Sequence, residues 1–266
     1  MIRIDSRKPY ATSPFFYSVN SLRFINHLLH PFAHGNGLDD VKQALARYQQ
    51  SAPFSAKVNA SIKNLNKEDD DQKTADGAAY FFIEQSPSGL AIRYAPELLA
   101  SIDKETRAKK QNSQAPTPTI LAMNRFNYTE FTILLNPVRD IEDDLHKANF
   151  IKEEATTYEG KAARLLHFEI PLEKLGEEER KNLKKYETEY QLWIDEQGTP
   201  LASHAKGKGS GRVALVIGFE FHFDVQKTYI KSGERLLVNK LTSTSGSSGA
   251  GMNNNEDIKA TLTLLN

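Results

Sequence analysis

The sequence predicts an α+β protein dominated by strands, in which helices cover the concave face of a strongly curved antiparallel sheet, an incomplete barrel. Three observations predict this class. Apolar residues alternate with polar ones in about nine to eleven segments, which is the period of a strand with one buried face. Most of the linkers are short turns, which favours antiparallel neighbours over parallel ones. Helical spacing is visible in only about two or three segments.

The most regular alternation is RVALVIGFEFHFDV, residues 212–225. Every odd position from Val213 to Val225 is apolar, whereas the even positions include glycine and charged residues. This pattern predicts one long strand with one buried face. At about 3.3 Å per residue such a strand would span about 46 Å, so we expect it to bend at Gly218.

Two segments predict helices. Residues 38–50 place Val41 and Leu45 on one apolar stripe and carry acidic residues in the first turn. Asn136 followed by Pro137 predicts a helix start, because asparagine side chains cap first turns and proline fits the first helical position.

Three polar or glycine-rich stretches are interpreted as connections. Residues 97–119 are polar and contain prolines, which predicts a surface loop or a short helix. The motif GKGSG, residues 207–211, is interpreted as a glycine-rich hairpin turn and not as a phosphate loop, because no helix follows it. Residues 246–257 are of low complexity and predict a mobile loop.

The composition restricts the class of protein. The chain has 266 residues, with 34 basic and 34 acidic side chains and no cysteine. The balanced charge argues against nucleic-acid binding, and the lack of cysteine excludes disulfides, thiolate metal sites and a cysteine nucleophile. We expect a single domain over 37–266, preceded by an N-terminal segment over 1–36.

The N-terminal segment allows two interpretations. Basic residues precede an aromatic and aliphatic stretch, as in an export signal, but polar residues interrupt the apolar part. Leu22, Ile25, Leu29 and Phe32 fall at helical spacing and fit an amphipathic arm.

The sequence contains neither a G-x-S-x-G nor an H-E-x-x-H motif. Glu220 and His222 share one face of the long strand and could form an acid–base pair in a hydrolase. Alternating polar residues on that face also predict an ordinary solvated surface. We therefore predict no enzyme activity, no catalytic residue, no metal ligand and no cofactor.

Four segments carry a resemblance to a known family. The first is a helix that runs into a strand, VKQALARYQQSAPFSAKVNASI (41–62), and the second is a hairpin, YEGKAARLLHFEIP (158–171). The third is a strand with WID and a glycine turn before PL, YQLWIDEQGTPLASHAKGKG (190–209). The fourth is a terminal hairpin, KTYIKSGERLLVNKLTS (227–243). In this order they resemble the LolA-like superfamily of periplasmic carriers that sort outer-membrane lipoproteins. In place of that family's turn and aromatic strand this chain has the polar segment 101–119.

The resemblance implies a periplasmic protein with an incomplete antiparallel barrel and helices as a lid over an apolar cavity. In the carriers that cavity takes lipoprotein acyl chains, whose burial is favourable by about 0.8 kcal/mol per methylene. The ligand-binding candidates that would line it are Val213, Leu215, Ile217, Phe219, Phe221, Phe223, Tyr190, Leu192 and Ile194.

Two functions follow as hypotheses. The first is a non-enzymatic periplasmic protein that binds a lipid, a lipoprotein acyl chain or another apolar ligand, with a role in outer-membrane lipoprotein sorting. The alternative is a cell-envelope regulatory or assembly module that binds another protein through the same fold. An internal apolar cavity would favour the carrier, whereas a filled core with an apolar patch outside would favour the module. No apolar run reaches the length of about 18 residues that a membrane span requires, so no membrane-spanning segment is expected.

Overall fold

The computed structural model describes residues 36–48, 53–68, 71–126, 128–213 and 217–265. The N-terminal segment 1–35, with both of its interpretations, lies outside the described residues. So does Leu215, one of the predicted ligand-binding residues.

Within these residues ten strands form one antiparallel sheet. In chain order the strands are β1 (Phe54–Glu68), β2 (Asp71–Ser86), β3 (Gly89–Arg93), β4 (Asn149–Tyr158), β5 (Lys161–Glu169), β6 (Leu183–Ile194), β7 (Pro200–Val213), β8 (Ile217–Ser232), β9 (Arg235–Gly249) and β10 (Met252–Leu264).

Six α-helices accompany the sheet in the described part of the chain. They are α1 (Gly37–Leu45), α2 (Pro96–Gln111), α3 (Pro118–Arg125), α4 (Tyr128–Leu135), α5 (Pro137–Lys147) and α6 (Glu177–Arg180), with a 3₁₀ turn at Leu172–Lys174. The predicted α+β class with a dominant antiparallel sheet is confirmed.

The strand order across the sheet is β3-β2-β1-β10-β9-β8-β7-β6-β5-β4. Every pair of neighbours is consecutive in the chain except β1 and β10, whose register runs from Ala56 opposite Leu264 to Glu68 opposite Met252. This single pairing joins a three-stranded meander to a seven-stranded one. The strands β3 and β4 are left as the two edges, so the sheet is not closed.

The chain between the two edge strands, residues 94–148, carries α2 to α5 and crosses one face of the sheet. We call this segment the helical strap, the face that it crosses the helix-side face, and the opposite face the outer face. Within the helical strap, α3 packs on β2 at Gly77 and also touches β1. At the end of α3, Arg125 forms an ion pair with Glu256 of β10, at 2.9 Å.

The second half of the helical strap crosses the other half of the sheet. The helix α4 packs on β9, and its terminal carbonyl at Leu135 accepts a hydrogen bond of 3.0 Å from the Arg235 guanidinium. In α5, Asp140 forms an ion pair of 3.1 Å with Lys227 of β8. The helical strap therefore contacts the strands in the order in which they lie across the sheet.

The hydrophobic core lies between the helix-side face and the helices. The largest fully buried side chains are Phe81, Phe126, Leu45, Ile83, Leu134, Ile141, Leu166, Leu192, Ile194, Leu236, Leu237 and Val41. They come from both meanders and from α1, α4 and α5, apart from Phe126, which directly follows α3. Burying them supplies most of the hydrophobic free energy that keeps the helices on the sheet.

The helical content exceeds the prediction of two or three helices. The sequence of α4, YTEFTILL, is apolar on nearly all sides and gives no amphipathic stripe. The start of α3 is capped from another helix, because the Glu105 carboxylate accepts hydrogen bonds from the backbone amides of Thr119 and Ile120, at 2.9 and 3.0 Å. Neither the helix α4 nor the capping of α3 by Glu105 can therefore be predicted from a short stretch of sequence.

The predicted helix starts and ends are confirmed in part. Pro137 occupies the first turn of α5 as expected, but the Asn136 side chain forms no capping hydrogen bond, so that part of the prediction is wrong. The helix predicted over 38–50 is α1, which ends at Leu45. The polar segment predicted as a loop or short helix contains the 16-residue helix α2.

The mobile loop predicted over 246–257 is wrong. The strand β9 continues to Gly249 and β10 begins at Met252, which leaves a two-residue turn. Both turn residues, Ala250 and Gly251, have positive φ, at 51° and 81°. Such a turn matches the twist of the strands that it joins, so a tight hairpin forms despite the low complexity.

No helix in the described ranges combines the length and the apolar character that a bilayer crossing requires.

We expect Gly77→Ala to destabilise the protein by about 1–3 kcal/mol, because an added Cβ would overpack the contact between β2 and α3. That atom would meet the Pro118 carbonyl oxygen and come within 3.0 Å of the Ala122 nitrogen. Denaturant unfolding measures the change. The matched control is Gly218→Ala, whose Cβ has no neighbour within 4 Å and should change stability by less than about 0.5 kcal/mol. Equal losses at both sites would contradict the close approach of α3.

Candidate binding face

The long apolar segment 212–225 does not form one strand, so this prediction is wrong. The strand β7 ends at Val213, β8 begins at Ile217, and these two residues are opposite each other in an antiparallel pair. The period of two continues across the hairpin, because the pairing leaves Val213 and Ile217 on the same face. The shared apolar face was therefore predicted correctly, although the chain reverses in its middle.

The GKGSG motif is likewise not a turn, since it lies inside β7. Its glycines are opposite phenylalanines of β8: Gly207 pairs with Phe223, Gly209 with Phe221 and Gly211 with Phe219. A Cβ on any of the three glycines would fall 2.5 to 2.7 Å from the Cζ atom of the opposing ring. The rings lie across β7 because only glycine leaves space for them.

These aromatic rings form a continuous strip on the helix-side face. Phe219 stacks on Phe221 with ring centroids 6.4 Å apart, and Tyr186 of β6 lies 6.3 Å from Phe221 on its other side. Phe219, Phe221 and Phe223 are each half-buried. We call Phe219, Phe221, Phe223 and Tyr186 the aromatic strip.

The aromatic strip borders a polar strip on the same face. Ser245 and Ser247 of β9 are opposite Phe223 and Phe221, and Asn254 of β10 is opposite Ser247. Ser247 and Asn254 are exposed. The helices leave this end of the helix-side face open, so apolar rings and hydroxyl or amide groups are accessible side by side.

The predicted ligand-binding residues fall into three environments. Tyr190, Leu192 and Ile194 are at most 3% exposed and belong to the filled core. Val213 and Ile217 are 48% and 47% exposed at the hairpin end. The three phenylalanines lie between these extremes, in the aromatic strip. The sheet therefore does not bring the candidates together around one cavity.

The outer face carries the residues considered for acid–base chemistry. Glu220 and His222 are exposed there, and the His222 ring lies over Gly246. Within the described residues no group of three His, Cys, Asp or Glu side chains has a metal-binding arrangement. His27, His30 and His34, which would share a face on a helix and could then ligate a metal, lie outside the described residues.

A second candidate site, which the sequence analysis missed, is a buried polar cluster beneath α5. Asp140 forms its ion pair with Lys227, and their side chains are 8% and 12% exposed. On the adjacent strands the hydroxyls of Ser203 and Tyr229 share a hydrogen bond of 2.6 Å. Asp144 is one turn after Asp140 on the same helix and completes the cluster.

Burial and charge shift the pKa values in this cluster. Burial raises the pKa of Asp144 to about 7; Lys227 opposes this shift and the Asp140 carboxylate adds to it. Burial alone would lower the pKa of Lys227, but attraction to Asp140 outweighs it and the pKa is raised. One ammonium thus faces two carboxylates, and it stays charged over the neutral range.

A sequence signal for this cluster exists. Lys227 continues the odd positions that carry the apolar face of β8, between Val225 and Tyr229. A charged residue in register with buried neighbours requires a partner, because an unpaired buried charge is strongly unfavourable. The identity of that partner, Asp140, depends on the path of the helical strap.

The raised pKa of Asp144 generates a pH-dependent prediction. Its folded-state pKa lies above the unfolded value of about 3.9, so the folded protein holds the proton more tightly. The stability that this gives is complete below about pH 4 and is lost as the pH rises through about 7. Asp144→Asn removes this loss. The unfolding free energy of Asp144→Asn minus that of wild type should be about 2 kcal/mol larger at pH 8 than at pH 5.

Denaturant unfolding at both pH values measures this change. The matched control is Asp76→Asn, the same substitution at an exposed position of β2, and the result for Asp144→Asn is compared with it at each pH. A constant difference between Asp144→Asn and wild type across the range would contradict the raised pKa.

Comparisons with known proteins assign no family. No family model matches the chain, and no curated protein matches it. Among solved structures, the crystal structure of MucB in complex with MucA(peri) is similar to 85% of this chain and 92% of its own, at 6% sequence identity and a TM-score of 0.20. At this TM-score the likeness assigns neither a fold family nor a function, and the resemblance to lipoprotein carriers stays a prediction.

Proposed function

We propose that this protein is a non-enzymatic binding protein that holds a segment of a protein partner on the open end of its helix-side face. The observation that carries this proposal is the aromatic strip. Its rings continue the buried face of the sheet beyond the helices, where they stay partly accessible. Accessible aromatic clusters of this kind are typical of protein interaction sites.

The two strips define the chemistry of the partner segment. Apolar side chains of the segment would pack on Phe221 and its neighbours, while its polar groups would hydrogen-bond to Ser247 and Asn254. A segment with apolar residues along one side and polar residues along the other meets both conditions. An acyl chain would use only the aromatic half, because it has no group that can pair with a hydroxyl or an amide.

The state of the core also supports a protein partner over an enclosed apolar ligand. The candidates Tyr190, Leu192 and Ile194 pack within the core, which gives them no free surface for a ligand. A filled core with an apolar patch outside is the arrangement that favours the regulatory or assembly module. The placement of such a module in the periplasm rests on the resemblance to the lipoprotein carriers.

Photo-crosslinking in the native host tests the proposal. A photoreactive phenylalanine analogue at position 221 should yield a covalent adduct with one defined protein. The same analogue at Gln226, which is exposed on the outer face of the same strand, should yield none. With that partner purified, we expect Phe221→Ser to weaken binding by about tenfold or more, as for a central aromatic contact. Gln226→Ser should leave the affinity unchanged.

Three results would overturn the proposal. An adduct at position 221 with the mass of a lipid would favour the carrier hypothesis. No adduct at position 221, or equal labelling at position 226, would make the aromatic strip an ordinary part of the packing. Thermal unfolding of both variants shows whether the fold is retained.

A further inference from the structure

Tyr186 connects the buried polar cluster beneath α5 to the aromatic strip. Its ring belongs to the aromatic strip and lies 6.3 Å from that of Phe221. Burial raises the pKa of its hydroxyl group, and the nearby carboxylates of Glu179 and Asp144 raise it further. The two carboxylates, one from α6 and one from α5, therefore lie at the border between the helices and the open end of the helix-side face.

Asp144 is the charged member of this cluster that has no partner of its own. Among the described residues its carboxylate accepts no hydrogen bond, and no cation lies within ion-pair distance of it. The Lys227 ammonium is 3.1 Å from Asp140, and Lys147 is 3.7 Å from Glu179. Asp144 is only half-buried, so a group from outside the molecule can reach it.

Two hydroxyl groups near Asp144 are also unpaired. Those of Tyr186 and Tyr190 are shielded from water and have no hydrogen-bond partner in the described part of the chain. Tyr190 is 3% exposed; burial raises the pKa of its hydroxyl and Asp144 adds to the shift. Ser203 is close to this hydroxyl, but its own hydroxyl bonds to Tyr229 at 2.6 Å. Buried polar groups without a partner are rare in native proteins, which indicates that a further group completes the cluster.

The charges around Asp144 leave one carboxylate in excess. Three neighbouring carboxylates each form an ion pair: Asp140 with Lys227, Asp143 with Arg139 and Glu179 with Lys147. Burial raises the pKa of Asp144, which has no such cation, to about 7. Lys184 and Lys185 lie further along β6, away from α5, and neither contributes to the pKa shift of Asp144 or of Tyr186. The missing group is therefore a hydrogen-bond donor with positive charge.

We propose that the partner segment held on the aromatic strip carries a lysine or arginine whose side chain enters beside Tyr186 and pairs with Asp144. This inference rests on the proposed function and adds a recognition element to the same site. The aliphatic part of the basic side chain would pack on the Tyr186 ring, while its charged end donates hydrogen bonds to the carboxylate. The unpaired tyrosine hydroxyls can accept hydrogen bonds from the same cation.

The observations favour a basic side chain over a free metal ion. Over the ranges that the structure describes, no three His, Cys, Asp or Glu side chains have a metal-binding arrangement. The ammonium of Lys227 already lies among the carboxylates of α5. A side chain that belongs to the bound segment also gains the apolar contacts of the aromatic strip, which a free ion cannot make.

Selection from a random peptide library tests the inference before the native partner is known. Twelve-residue peptides displayed on phage are selected at pH 8 on the full chain, and those that also bind Phe221→Ser are removed. The remaining peptides should share apolar residues and a lysine or arginine at one preferred position. Selection on Asp144→Asn should yield the apolar preference alone. Asp143→Asn is the matched control, because its side chain is 45% exposed, and it should retain both preferences.

A selected peptide without histidine gives the size of the effect. Norleucine in place of its basic residue, and Asp144→Asn in the protein, should each weaken binding at pH 8 by about tenfold or more. The two changes together should weaken binding little more than either alone, because both remove the same pair. Wild type should bind about tenfold more tightly at pH 8 than at pH 6, since Asp144 ionises between these values, whereas Asp144→Asn should bind equally at both.

Three outcomes would overturn the inference. Peptides that depend on Phe221 but show no basic preference would do so and leave the proposed function intact. A basic preference that Asp144→Asn retains, or that Asp143→Asn loses equally, would show that no defined pair with Asp144 forms. The absence of any peptide that depends on Phe221 would overturn the proposed function as well. Asp144→Asn is expected to be more stable than wild type at pH 8, so misfolding does not account for a lost preference.

Discussion

The fold depends on one topological constraint: the helical strap must join two strands at opposite edges of the sheet. Because β3 and β4 are the two edges, residues 94–148 have to cross the full width of the helix-side face. A layer of helices is about 10–12 Å wide, whereas strands of 15 and 16 residues, such as β1 and β8, are about 50 Å long. One crossing therefore covers only part of each strand. The closed core and the open end of the face are two results of the same constraint.

The hairpin of β7 and β8 shows how the open end remains ordered without helices above it. Gly207, Gly209 and Gly211 leave three successive helix-side positions of β7 without a side chain, and phenylalanines of β8 cover the gap. Aromatic rings over strand glycines recover contact area that glycine alone cannot provide. The rings are thereby fixed by their own sheet and keep their upper surfaces accessible. A surface that is rigid before it meets a partner loses less conformational entropy on binding.

The sequence predicts local features well and long-range ones poorly. The period of two identified most strands and the inner face of β8, because alternation depends only on burial of one side. The chain reversal between Val213 and Ile217 was not predictable, since no glycine, asparagine or proline marks it. The same holds for α3, whose amides are capped by Glu105 from another helix. The candidate site was half predicted: Phe219, Phe221 and Phe223 lie on the expected face, but the buried position of Tyr190, Leu192 and Ile194 depends on the path of the helical strap.

The pairing of β1 with β10 has a consequence for the order of events during synthesis. Residues near the start of the described chain, such as Ala56, are held by residues near its end, such as Leu264. Until β10 has left the ribosome, β1 has a free edge, and the two meanders cannot share one core. Contacts between such distant residues delay folding because a long loop must close first. The sheet therefore cannot be completed until β10 has been synthesised, and β1 lacks one of its two neighbouring strands for all of that time.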